Sequence, residues 1–159
     1  MAAPPSAPRQ ALEVFFSYAH QDEDLRDALA KHLRLLERQH IIARWHDRRI
    51  AAGNEWAGVI DTHLRTAQTI LLLVSVDFLD SDYCYDIELQ QAMAHHTAGE
   101  ARVIPIILRP VDWQSTPFGA LQALPRDGRP VTNWPNPDDA WLDIARGIRA
   151  VAEELASRP

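Results

Sequence analysis

Residues 69–74 (TILLLV) form a nearly continuous apolar run of strand length. A strand that faces water on one side alternates apolar and polar residues, whereas a strand of a parallel sheet is covered on both faces and reads as an unbroken apolar run. Residues 103–108 (VIPIIL) repeat this pattern, although Pro105 removes one ladder donor and predicts an edge strand or a bulge. The two runs together favour a sheet with other elements packed on both of its faces.

Strand-like and helix-like patterns alternate along the rest of the chain. Apolar positions at helical spacing over residues 22–38 predict an amphipathic helix, with Asp22 as its N-cap. Further strands are predicted over residues 13–17, 41–45 and 131–134, and further helices from Asn54 to Leu64, from Ser81 or Asp82 to His96, over 138–155 and, as a short helix, over 118–123. Strand–helix alternation is typical of βαβ units, so we predict a flavodoxin-like three-layer α/β/α fold with about five parallel strands.

Length and composition narrow the class of protein. The 159 residues suit one domain, which we place at residues 12–157 behind a flexible Pro/Ala tail over residues 1–11. A net charge of −6 disfavours nucleic acid as a partner, and the single cysteine, Cys84, excludes an internal disulfide. Because we find neither a signal peptide nor a membrane span, we expect a cytoplasmic protein that does not enter a membrane.

In sheets of this kind, ligands bind beyond the carboxyl ends of the strands. That rule selects residues 17–20, 45–53, 75–88 and 109–113. Phosphate-binding glycine motifs and histidine–carboxylate metal motifs are absent from the sequence, so we predict no metal and no cofactor. Glu88 stands out because its i−4 and i+4 neighbours, Cys84 and Ala92, are small. An ordinary surface glutamate is the alternative interpretation.

Four motifs in the right order resemble a bacterial TIR domain (Toll/interleukin-1 receptor homology domain) over residues 13–155. FFSYAHQDED resembles the first strand and box of that family, and WHDRRIAAGNEW resembles its BB loop. ILLLVSVDFLDSDYCYDIEL resembles the third strand with the helix that follows, and RVIPIILRPVDW the fourth strand.

The resemblance implies one of two functions. Many TIR domains cleave NAD+ at the nicotinamide–ribose bond, some with cyclisation of the product, and others are non-enzymatic adaptors that act by self-association. In the enzymes an essential glutamate lies on the helix after the third strand, and its counterpart here is Glu88. We therefore predict an NAD+ hydrolase that acts in bacterial immune, antiviral or stress signalling and has NAD+ as its substrate. The predicted partners are other TIR domains, through TIR–TIR contacts, and a sensor domain or partner protein is a further possibility.

The remaining site predictions surround Glu88. Trp45 is the first candidate for an aromatic wall against a flat ring of NAD+, although an aromatic residue at a strand end is more often part of the core. Cys84 stands where many catalytic TIR domains carry an aromatic residue, so Tyr83 is expected to supply the ring there. The predicted substrate contacts are Phe16, Ser17, Tyr18, Trp45, Asp47, Tyr83 and Cys84. The predicted assembly loop contains Arg48, Arg49, Ile50 and Gly53, whose arginines would meet the pyrophosphate, a neighbouring subunit or only solvent.

Overall fold

A parallel sheet forms the centre of the protein. The structure is a computed structural model and describes residues 11–47, 64 and 66–156, with the side chains of residues 44–47 and 83 outside that description. Its strands are β1 (Leu12–Ser17), β2 (Ile42–Asp47), β3 (Thr69–Val74) and β4 (Arg102–Ile107). They pair in the order β2-β1-β3-β4, and every pairing is parallel. Within the described residues the sheet therefore has four strands rather than about five.

The apolar runs occupy the places that the sequence predicts. β3 covers residues 69–74, and all six of its residues are buried. β4 lies at an edge of the described sheet, as Pro105 predicts. Leu124 makes a single bridge on the outer side of β4, where its N–H donates to the carbonyl of Pro105 over 2.9 Å. Because the N–H and C=O groups of one strand residue point to the same side, the donor that Pro105 lacks is missing on the outer side rather than in the ladder with β3.

Helices cover both faces of the sheet. They are α1 (Glu23–Arg38), the short α2 (Val76–Asp80), α3 (Leu89–Thr97) and α4 (Pro137–Ala156), and a π-helical segment (Tyr83–Glu88) leads directly into α3. α1 buries Leu29, Leu33 and Leu36 along one stripe, which confirms its predicted amphipathic pattern. None of the helices in the described part of the chain is long and apolar enough to cross a membrane.

The core has two halves that follow the alternation of side chains along the strands. Val14 and Phe16 of β1 point into a cluster with α1 and α4, whereas Phe15 points into a cluster with Leu89 and Ala92 of α3. The three-layer α/β/α prediction is therefore confirmed.

Two local predictions in the last third of the chain are wrong. Residues 131–134 do not pair as a strand, because Val131–Asn133 forms a single 3₁₀ turn between Pro130 and Pro135, neither of which has an N–H for a ladder. Residues 118–123 form a turn over 118–120 followed by irregular chain instead of a short helix. The predicted helix from Asn54 falls almost wholly outside the described residues.

Candidate active site

Glu88 is the last residue of the π-helical segment and is only 1% exposed. This burial excludes the alternative in which Glu88 is a solvated surface residue. Segments of π-helix are rare, and they occur frequently at functional sites because they break the regular spacing of a helix. A sequence-based assignment at a spacing of 3.6 residues continues α3 back to residue 82 and does not detect this change.

The carboxylate of Glu88 meets the carboxyl end of β1. The hydroxyl of Ser17, the last residue of β1, donates a hydrogen bond to Oε2 of Glu88. Ser17 is 0% exposed, so this contact lies in the interior of the protein. A hydrogen bond to a buried carboxylate stabilises its ionised form, which burial alone disfavours. The fold thus brings together two predicted site residues that are 71 positions apart in the sequence.

A second serine–carboxylate pair lies at the same edge of the sheet. The hydroxyl of Ser75, directly after β3, donates to Oδ2 of Asp22, which precedes α1. Both residues are buried. The two pairs are reciprocal, because the serine at the end of β1 binds a carboxylate that follows β3, and the serine after β3 binds a carboxylate that follows β1. Each of the two hydrogen bonds therefore links the segment at the end of β1 with the segment that follows β3.

Arg109 links the segment after β4 to the same edge of the sheet. It follows β4, and its guanidinium lies 2.9 Å from Oδ1 of Asp22 and also donates to Asp77 at the start of α2. The hydrogen bond with Asp77 is the main cause that raises the pKa of Arg109, and the charge of Asp22 adds to it. We refer to Asp22, Ser75, Asp77 and Arg109 as the polar bridge.

The polar bridge was not predicted as a unit. Asp22 does stand where the sequence places the N-cap of α1, but its side chain makes no capping hydrogen bond there and binds Ser75 and Arg109 instead. The one sequence signal for Ser75, Asp77 and Arg109 is their position just after strands, which the rule for ligand sites in parallel sheets already selects. Asp22 lies two residues beyond the range that this rule selects after β1.

Tyr18 and Phe16 contribute to the core cluster beside α1 and α4. Phe16 is fully buried, and Tyr18 is 8% exposed with the guanidinium of Arg26 5.0 Å from the centre of its ring. The thiol of Cys84 packs in the opposite cluster and donates to the carbonyl oxygen of Tyr18 over 3.3 Å. Contact of these three side chains with substrate stays a prediction, and their burial means that such contact requires local movement.

β2 places two further predicted residues along the sheet. In the ladder with β1, Trp45 is opposite Val14 and Asp47 is opposite Phe16, so Asp47 reaches the edge where Ser17 lies. Tyr83 begins the π-helical segment. The side chains of Trp45, Asp47 and Tyr83 lie outside the described structure, as does the whole predicted assembly loop with Arg48, Arg49, Ile50 and Gly53. Their roles remain predictions.

Within the described part of the chain, no group of three or more His, Cys, Asp or Glu side chains is arranged to hold a metal ion. The acidic side chains at the strand edge are engaged with serine hydroxyls and with Arg109. What this edge offers chemically is a buried carboxylate, held by a hydroxyl, beside a network of compensated charges.

The fold and this edge define a parallel α/β domain whose polar residues gather at the carboxyl ends of its strands. Comparison with known families matches residues 14–143 to the TIR domain. Since that match covers most of the chain, the protein belongs to the TIR domain family, and the predicted family is confirmed.

The chain is also similar to a curated relative and to solved structures. The chain is 58% identical over 139 residues to the uncharacterized protein y4lF of Sinorhizobium fredii, a match that covers 87% of this chain and 43% of that protein. It therefore spans less than half the length of this curated relative. The TIR domain of the Toll-related receptor TRR-2 from Hydra magnipapillata is 24% identical with a TM-score of 0.56, covering 87% of this chain and 99% of that one. The TIR domains of the activated Roq1 resistosome are 18% identical with a TM-score of 0.47, covering 93% of this chain and 85% of that one.

Proposed function

We propose that this TIR domain hydrolyses NAD+ at the nicotinamide–ribose bond, with Glu88 as the catalytic carboxylate. The observation that carries the proposal is the position of Glu88, buried at the carboxyl edge of a parallel sheet and hydrogen-bonded by Ser17. Ligands bind at this edge in folds of this class. The family membership adds to the proposal, since the TIR-domain resemblance implies a glutamate at this place in the enzymes.

One carboxylate is sufficient for this reaction. Ordinary glycosidases need a second acid to protonate the leaving oxygen. The nicotinamide of NAD+ is already a pyridinium cation and leaves as a neutral molecule, so no proton has to be delivered. The protein has to supply negative charge and hydrogen-bond acceptors beside the ribose, where positive charge develops in the transition state. An ionised Glu88 supplies both.

Burial makes that charge more effective and also restricts access to it. In a water-poor site a fixed charge interacts more strongly with a developing charge than it does in water. Glu88 is 1% exposed, so NAD+ reaches it only after local opening of the surrounding segments. We place the predicted loop over residues 47–53 at this opening, with Trp45 against a ring of NAD+.

The test is release of nicotinamide from NAD+ by the purified domain, followed by chromatography. Glu88→Gln is expected to abolish release, because the amide removes the charge and keeps the shape of the side chain. Asp86→Asn is the matched control, since Asp86 is an exposed acid on the same π-helical segment and should keep wild-type activity. The same chromatogram separates ADP-ribose from a cyclic product. A folded Glu88→Gln variant with wild-type turnover would contradict the proposal.

A non-enzymatic adaptor is the second candidate function. The observation in its favour is again the 1% exposure of Glu88, because a buried carboxylate held by a serine also suits a purely structural role. An adaptor would self-associate through TIR–TIR contacts without consuming NAD+. Wild-type protein that forms assemblies and releases no nicotinamide at any concentration would favour this candidate.

The wider setting follows from the same proposal. We place the domain in the cytoplasm in bacterial immune, antiviral or stress signalling, with NAD+ as substrate, other TIR domains as partners, and no cofactor. The chain spans 43% of the length of its relative y4lF. A sensor domain or partner protein that controls assembly is therefore part of the proposal for the whole protein.

A further inference from the structure

We propose that Ser17 is a positioning residue, which holds the carboxylate of Glu88 in its reactive orientation and does not itself touch substrate. This role replaces the substrate contact that the sequence predicts for Ser17. This inference rests on the proposed NAD+ hydrolysis and adds a role for a second residue of that site. Its basis is the hydrogen bond that Ser17 donates to Oε2 of Glu88 in the interior of the protein.

Ser17 is attached to one of the most constrained parts of the fold. It ends β1, which pairs with β2 on one side and with β3 on the other, and it is opposite Leu72 in the second ladder. Its side chain is fully buried, and its one hydroxyl proton is directed at Glu88. Because this proton is already donated to Glu88, we infer that the hydroxyl acts on a substrate through the carboxylate it holds.

Glu88 needs such support because of where it lies. Its backbone belongs to the π-helical segment between α2 and α3 rather than to the sheet, and a glutamate side chain has three rotatable bonds. Charge placed beside a developing cation is effective only when its position is fixed before the reaction, and a misplacement of about 1 Å costs up to about a hundredfold in rate. The hydrogen bond from Ser17 fixes the position of the carboxylate relative to the rigid sheet.

A purely structural serine would behave differently, and the chain contains one for comparison. Ser75 is the same residue type, is equally buried at 0% exposure, and also donates to a buried carboxylate. That carboxylate belongs to Asp22, not to Glu88. Ser75 also caps α2, where its oxygen accepts the N–H of Phe78 over 3.1 Å. Loss of the Ser75 hydroxyl should therefore destabilise the fold at least as much as loss of the Ser17 hydroxyl.

The experiment measures kcat and KM for NAD+ and the melting temperature of Ser17→Ala, Ser17→Cys, Ser17→Thr and Ser75→Ala. Ser17→Ala is expected to lower kcat about tenfold or more while KM changes less than about twofold, because the lost orientation acts in the transition state. Ser17→Thr keeps a hydroxyl and should recover most of kcat. Ser17→Cys keeps the unbranched shape of the side chain, with a slightly larger atom in place of the oxygen, but donates only weakly. It should therefore resemble alanine, and it replaces Ser17→Ala in the test if that variant does not fold.

Ser75→Ala should keep kcat within about twofold although its melting temperature falls. A second readout is the acid limb of the pH dependence of kcat. In Ser17→Ala this limb should move to higher pH, because the carboxylate loses a hydrogen bond to its ionised form, and in Ser75→Ala it should not move.

Different failures are distinguishable. If wild-type protein releases nicotinamide and Glu88→Gln does not, but folded Ser17→Ala or Ser17→Cys keeps wild-type kcat, the positioning role is overturned and the proposed function stands. Equal losses of kcat in Ser17→Ala and Ser75→Ala would also overturn it, because a general loss of stability would then explain both. A wild-type domain that releases no nicotinamide overturns both proposals.

Discussion

Arg109→Met tests how much the polar bridge contributes to stability. The side chain of Asp22 is only 1% exposed, and its two carboxylate oxygens meet Arg109 and Ser75. Methionine keeps an unbranched apolar side chain of similar reach but removes the guanidinium. The substitution thus removes the ion pair of Asp22 and leaves its buried negative charge with the hydrogen bond from the Ser75 hydroxyl.

The loss in the free energy of unfolding expected for Arg109→Met lies between two known limits. Removal of one partner from a fully buried ion pair costs roughly 3–5 kcal/mol, whereas exposed pairs are worth about 0–1 kcal/mol. The Arg109 side chain is 36% exposed, so water screens part of its charge and moves the expected loss toward the lower limit. We therefore expect a loss of about 2 kcal/mol in the free energy of unfolding, with a decrease of about 4–8 °C in Tm for a domain of this size.

The pH dependence follows from the sign of the pKa change at Arg109. The pKa of this guanidinium is raised in the folded state, chiefly by the hydrogen bond with Asp77. A raised pKa gives stability that is complete below the ordinary arginine value and is lost only as pH rises through the raised one. The difference between wild type and Arg109→Met should therefore be constant between about pH 6 and pH 9.

Urea unfolding of wild type, Arg109→Met, Asp22→Asn and the double variant measures the effect, provided that the m-value is unchanged. In the double variant the buried charge is gone, so its loss should be smaller than the sum of the single losses by about 1 kcal/mol or more. A loss below about 0.5 kcal/mol for Arg109→Met, or strict additivity in the double variant, would refute the view that Arg109 compensates a buried charge.

Three further predictions concern activity. Glu88→Gln should abolish release of nicotinamide without a large change in Tm, whereas Asp86→Asn should leave both unchanged; chromatography and thermal unfolding check this. Specific activity should rise steeply with protein concentration or crowding, since the loop over residues 47–53 is predicted to complete the site with a neighbouring subunit; a constant specific activity on dilution would contradict it. Trp45→Ala should weaken apparent affinity for NAD+ roughly five- to tenfold if its ring stacks on the substrate, from about 1 kcal/mol or more for an aromatic pair. A loss of roughly 3–5 kcal/mol in folding stability with unchanged NAD+ dependence would instead indicate that Trp45 is a core residue.

The sequence by itself determined the layered α/β fold and most of its elements. β3 and α1 are predictable because their patterns are local: burial on both faces leaves an unbroken apolar run, and burial of one helix face leaves a stripe. The motif order also identified the TIR family, and the rule for parallel sheets selected the edge where Glu88 lies. Two short elements after β4 were predicted wrongly because prolines and turns there follow no periodic pattern.

Only the tertiary structure decided what the polar residues at that edge do. Asp22 looks like a helix cap in the sequence, yet its carboxylate binds Ser75, which is 53 residues away. Glu88 looks like a residue on a regular helix, yet the π-helical segment and the contact with Ser17 place it in the interior. Periodicity reports which face of an element is buried, because burial repeats with the turn of the chain. It carries no information on which serine meets which carboxylate across neighbouring strands, because that pairing depends on how the strands assemble in the sheet.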